Sequence, residues 1–235
     1  MSNAQAGAAH PIEASSNEAK AMRRKREARP ASIPAVRRGD ALDVADLPSY
    51  GFGTRSLMWW GTLGLIAIES TVFALTVMTY FYLRSHAGTW PITAPPPDLL
   101  WGTLNTVIML VSLVPNHLAK RAAERLDLQG VRVWLWVGIA VGVAFLVVRG
   151  FEFAGLNTRW DSNAYGSVVW LLLGFHTTHL VTDVFDSVVL GVLFFTGPLE
   201  GKRFTDVSEN AFYWYFVVFS WLPIYLVIYW GARAT

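Results

Sequence analysis

The chain has 235 residues, of which 53% are hydrophobic, 14% aromatic and only 15% charged. Soluble domains carry about a quarter charged residues, so this composition is that of a membrane protein. The absence of Cys excludes disulfides, thiolate metal ligands and a c-type haem attachment motif, and the net charge of +2 reflects a basic tail on a nearly uncharged body rather than a nucleic-acid-binding surface.

Residues 1–50 are rich in Ala, Ser and Pro and carry Lys20, Arg23, Arg24, Lys25, Arg26, Arg29, Arg37 and Arg38. Such a segment cannot bury a core and is predicted to be a disordered cytoplasmic tail. No apolar stretch follows its basic cluster, so neither a secretory signal peptide nor a twin-arginine signal is expected.

Residues 51–235 are predicted to be an all-α, polytopic bundle. Five apolar stretches, approximately Leu57–Leu83, Leu99–Ala119, Val133–Gly155, Gly166–Phe194 and Ala211–Trp230, can each cross about 30 Å of hydrocarbon at about 1.5 Å per residue. The breaks between them, HAGTWPITAPPPD, KRAAERLDLQG, NTRWDSNA and TGPLEGKRFTDVSEN, are rich in Pro, Gly and charge. Continuous runs of this length favour helices over the short alternating strands of a membrane β-barrel.

Basic residues give the orientation. The tail, the loop after the second stretch (Lys120, Arg121, Arg125, Arg132) and the loop after the fourth (Lys202, Arg203) share one side, whereas the other side holds Arg84, Arg159 and Arg233. The positive-inside rule therefore predicts a cytoplasmic N-terminus and a periplasmic C-terminus.

The fourth stretch carries His176, His179, Asp183 and Asp186 within about 80° of one helical face. Ionisable groups inside a span normally face protein, water or a functional partner rather than lipid tails. Glu69 lies about 20 Å along the first span, and His176 and His179 about 16 and 21 Å along the fourth, so the three share the bilayer midplane. Asp183 and Asp186 fall toward the cytoplasmic edge, where ionisation is cheap. Arg149 and Glu152, spaced i, i+3 near the outer end of the third span, are expected to form a local ion pair at the interface.

Four readings compete for the stripe: a metal centre, a proton path, a set of internal hydrogen bonds between helices, and a lipid contact. Two histidines and a carboxylate are a known iron ligand set. The Glu-x-x-His repeats of bundle carboxylate sites are absent, however. Spacing alone favours internal hydrogen bonds.

An ordered series of motifs resembles subunit III of the haem-copper terminal oxidases, the cytochrome c and quinol oxidase family. WWG at Trp59–Gly61 is followed by IES with Glu69, YFYLR at Tyr80–Arg84 and WP at Trp90–Pro91. LNT at Leu104–Thr106, FEF at Phe151–Phe153 and DSNAYGS at Asp161–Ser167 come next. GFHTTH at Gly174–His179 resembles the family's GFHxxH, and FYWYFVVFSWL at Phe212–Leu222 its YWHFVDVVW. The resemblance extends from about residue 55 to the end of the sequence, and the family's five-span forms keep the N-terminus inside. Three positions depart from the pattern: Tyr215 and Val218 stand where His and Asp are usual, and Arg149 where Gln is common.

The resemblance implies an accessory, non-redox subunit of the bacterial inner membrane with no catalytic centre or cofactor of its own. It would pack directly on subunit I, alongside subunit II and other oxidase subunits, and support proton uptake and stability of the complex. Haem and copper would reside in the partners, and phospholipid between its helices. Glu69, Glu152, His176 and His179 are the family-matching polar positions and candidate lipid or subunit contacts, with Asp183 and Asp186 as candidate cytoplasmic-side contacts. Glu69 is expected to hydrogen-bond a histidine of the fourth span. The other readings are an accessory subunit of a nitric oxide reductase and an independent proton-coupled transporter, the latter lacking the inverted repeat and broken helices usual for alternating access.

Overall fold

The computed structural model describes residues 50–197 and 200–234. The expected tail, apart from Tyr50, lies outside the described residues. Within them every regular element is helical: a short 3₁₀ turn, Gly53–Arg55, precedes five long helices. These are α1 (Leu57–His86), α2 (Leu99–Glu124), α3 (Leu128–Ala154), α4 (Ala164–Thr196) and α5 (Gly201–Tyr225), the last continuing as one π turn, Leu226–Trp230. All five are long and apolar enough to cross a membrane.

The helix ends follow from local chemistry. Asp127 caps α3 by accepting a hydrogen bond from the Gly130 amide at 3.1 Å, and Asn163 caps α4 by accepting one from the Gly166 amide at 2.8 Å. Between α2 and α3 the chain turns within three residues, with Leu126 at a left-handed φ of 57° and the Asp127 amide bonded to the Ala122 carbonyl at 2.9 Å. At the C-terminus of α4, Arg132 donates to the Phe194 carbonyl at 2.7 and 3.0 Å, and Arg203 donates to the Leu193 carbonyl at 3.1 Å. Guanidinium groups here satisfy the orphan carbonyls of a helix end.

The helices outrun the apolar stretches. The break expected across TGPLEGKRFTDVSEN is much shorter, because α5 already begins at Gly201. Apolar composition marks the part of a helix that sits in hydrocarbon, whereas backbone hydrogen bonding continues into charged segments that reach the headgroups.

Helices α2, α3, α4 and α5 form the packed body, with α5 the most buried and α1 the least. Met109, Phe145, Leu172, Leu173 and Trp221 lie in one apolar core. Helix α1 packs on α4 and α5 and buries only Phe73, Thr76 and Tyr80, a stripe with helical spacing. Its far end is fastened by Arg84, which donates to the carbonyls of Gly231 (3.1 Å) and Ala234 just beyond the π turn. Leu57, Ile68, Met78 and Tyr82 on α1 remain largely exposed, as expected of a surface facing lipid or another membrane helix.

Gly102 of α2 is required by close packing: a Cβ there would fall on the ring of Tyr229. Gly102→Ala is therefore expected to lower stability by about 1–3 kcal/mol through overpacking, read as a lower midpoint of thermal unfolding in detergent. An unchanged midpoint would contradict this packing.

Candidate functional site

The polar groups of the bundle fall into three clusters. At the centre, Arg149 and Glu152 of α3 form an ion pair, Nη1 to Oε2, at 2.8 Å. Each is only 1% exposed. The local i, i+3 ion pair expected from the spacing is present, but it is buried by neighbouring helices rather than open to its surroundings. The i, i+3 spacing sets both on one face, and that face points into the bundle rather than to the membrane surface. Glu152 also accepts from the Asn105 amide of α2 and, through Oε1, from the Tyr229 hydroxyl on the π turn at 2.6 Å. Three helix segments therefore converge on one carboxylate. The Arg149 guanidinium lies over the rings of Trp221 and Phe145, 4.1 and 4.7 Å from their centroids.

His176 of α4 completes this cluster with no exposed surface. Its Nδ1 is 3.2 Å from Arg149 Nη2 and its Nε2 2.9 Å from the Val217 carbonyl of α5. A guanidinium only donates and a carbonyl only accepts, so the ring is the neutral Nε2–H tautomer with both nitrogens engaged. Trp221 lies against this ring at 4.9 Å between centroids and donates to Thr106 of α2 at 2.8 Å.

The second cluster ties α1 to the body. Glu69 Oε1 lies 3.3 Å from His179 Nε2, and Glu69 Oε2 accepts from the Tyr213 hydroxyl of α5 at 2.7 Å. His179 Nδ1 is 2.6 Å from the Phe175 carbonyl and must carry a proton to make that bond. Phe73 fills the space beside both histidines, 5.1 Å from His179 and 6.4 Å from His176 between centroids.

The third cluster joins α4 to α5. Asn210 donates to Asp183 Oδ1 and to Asp186 Oδ2, each at 3.2 Å, and accepts from Ser187 at 3.1 Å. Asp183, expected where ionisation is cheap, is only 3% exposed and lines a pocket together with Val184, Ser187 and Asn210. Asp186 is exposed.

The histidine–aspartate stripe is therefore divided among three different settings. Among the described residues no group of three or more His, Asp or Glu side chains is placed to hold a metal ion. Sequence reasoning missed Asn105, Tyr213, Asn210 and Tyr229, which carry no charge. Asn105 had a usable signal as an amide in the apolar run of α2, whereas the tyrosines look like interfacial aromatics. Of the departing positions, Tyr215 bonds His117 at 2.9 Å, and Val218 is fully buried.

Breaking a buried ion pair from one side typically costs about 3–5 kcal/mol, whereas replacing both partners by apolar groups is often close to neutral. Arg149→Met and Glu152→Leu are each expected to destabilise the chain by about that amount. The double variant should lose far less than the sum, measured by denaturant unfolding in detergent micelles. Additive losses would contradict the coupling.

The family model described as cytochrome c oxidase subunit III matches residues 58–233, which hold all three clusters. A cytochrome c oxidase subunit 3 of Thermostichus vulcanus is 27% identical over 172 residues, covering 72% of this chain and 85% of that protein. A probable cytochrome c oxidase subunit 3 of Mycobacterium bovis is 33% identical over 180 residues with the same coverage, and one of Nocardia farcinica is 28% identical over 173 residues. With five helices able to cross a membrane and a family match over most of its length, the chain belongs to the cytochrome c oxidase subunit III family.

Proposed function

We propose that this multi-pass oxidase subunit is an accessory, non-redox component of a haem-copper terminal oxidase in a bacterial inner membrane. In this reading it packs on the catalytic subunit I, next to subunit II, and supports the stability and proton uptake of the complex. Haem and copper belong to the partners, and phospholipid sits between its helices. The tail is cytoplasmic and the C-terminus periplasmic, following the distribution of Lys and Arg.

The observation that carries the reading is how the buried polar side chains are used. His176 has both ring nitrogens committed, and Glu152 holds three donors from three helix segments. These groups fix the relative positions of helices, as a scaffolding subunit requires. Glu69, Glu152, His176 and His179 are assigned this role, with Glu69 and His179 also bordering a lipid- or partner-facing surface, at 17% and 19% side-chain exposure. Asp183 and Asp186 lie toward the end of α4 that the charge bias assigns to the cytoplasm, where support of proton uptake would act.

The test is affinity purification of the chain from membranes in mild detergent. The expected result is co-elution with a haem- and copper-containing subunit, oxygen-reducing activity, and faster loss of that activity during turnover when the chain is deleted. Isolation without a haem protein, combined with proton-coupled flux in liposomes containing the chain alone, would overturn the proposal. So would a partner that reduces nitric oxide but not oxygen.

A further inference from the structure

Three helices present hydrogen-bonding residues one turn apart to a common point in the bundle: Ser112 and Asn116 on α2, Asp183 and Ser187 on α4, Asn210 and Trp214 on α5. An i, i+4 spacing puts each couple on one helical face. Ser187 donates to Asn210 at 3.1 Å, Asn116 to the carbonyl of the following residue, Ala211, at 3.0 Å, and Trp214 to Ser112 at 2.9 Å. Helix α5 thus draws α2 and α4 together. The three couples line one small cavity of about 30 Å³.

The fourth wall is α3, where Gly138 stands on the packed side between buried Leu135 and Gly142. At Gly142 an added Cβ would fall 2.8 Å from Val184, whereas at Gly138 it would meet no neighbour within 4 Å. The packing therefore leaves a gap beside the polar couples. It is too small for an organic ligand but large enough for water, since one molecule needs roughly 10–15 Å³ of such space.

Hydrogen-bonding capacity points to the same occupant. The Asn116 amide offers two donor hydrogens and an acceptor oxygen, and the Ser187 hydroxyl one donor and two acceptor lone pairs. Among the described residues each of these side chains makes only the single bond given above, which leaves a donor on Asn116 and acceptors on both. Cavities that stay dry are apolar, whereas polar ones hold water with about two to four partners. We propose that this cavity is a site for ordered internal water, which accepts from Asn116, donates to Ser187 and so couples α2 to the Asp183–Asn210 cluster. The water adds a polar tie to α2 besides the one from Asn105 to Glu152. The site does not depend on the function proposed above.

The test is a cryo-electron-microscopy map of the membrane complex in which the chain is purified, at a resolution that shows internal waters elsewhere in that complex. The expected result is a peak within about 2.7–3.2 Å of both Asn116 and Ser187. An empty cavity would overturn the proposal, as would a peak at the distance of about 2.0–2.6 Å typical of a cation–oxygen contact. Stability gives an independent reading. Gly138→Ala and Gly138→Leu have similar helix propensity, but only the larger side chain fills the gap. It would expel the water and strand Asn116 and Ser187, so Gly138→Leu is expected to unfold in detergent several degrees below Gly138→Ala. Adding Ser187→Ala to both should narrow that difference. A midpoint for Gly138→Leu equal to or above that of Gly138→Ala, as filling a dry void would give, would overturn the proposal. So would a difference that Ser187→Ala leaves unchanged, the mark of overpacking alone.

Discussion

A guanidinium and a carboxylate taken together out of water hold the packed body of this protein in register. Removing either charge from water costs several kcal/mol even after relaxation, so the pair persists only where other groups complete its hydrogen bonding. Arg149 and Glu152 meet that condition through Asn105 of α2, His176 of α4 and Tyr229 beyond α5, with the guanidinium lying over the rings of Trp221 and Phe145. A helix that rotated or slid would strand one of these donors or acceptors in an apolar core. The interaction therefore acts chiefly on specificity of packing, since apolar side chains alone would tolerate several registers.

The remaining features hang from that centre. Neutral His176 carries the arrangement to the Val217 carbonyl of α5, and one turn further along α4 His179 carries it outward to Glu69 of α1. Helix α1 has little burial of its own and is held by Glu69, by Tyr213 and by the Arg84 contact at its far end. Polar ties through the interior combined with apolar residues on the outside suit a helix bundle that spans a bilayer. Interhelical polar contacts replace part of the hydrophobic driving force, which is absent between helices surrounded by lipid.

Much of this architecture was legible in the residues. The five helices could be read from apolar run length, and the charged stripe of α4 announced a face turned away from lipid. The partners of that stripe were harder to read. Arg149 and Glu152 lie near the end of α3, and nothing in local spacing reveals that the neighbouring helices cover them. Asn105 and Tyr229 are distant in sequence and uncharged, and Tyr229 reaches Glu152 from a wide π turn that no periodicity announces. The start of α5 is hidden in the sequence for a related reason: the charged residues from Lys202 to Glu209 resemble a loop by composition, but they form the first turns of the helix.

The whole arrangement depends on Glu152 being a carboxylate held by three donors inside the bundle. Isotope-edited infrared spectroscopy on the complex with labelled glutamate, comparing wild type with Glu152→Gln, tests it most directly. The substitution is expected to remove an ionised carboxylate band that resists hydrogen–deuterium exchange of its surroundings. Loss of a protonated carboxyl band instead, or rapid exchange around the group, would contradict it.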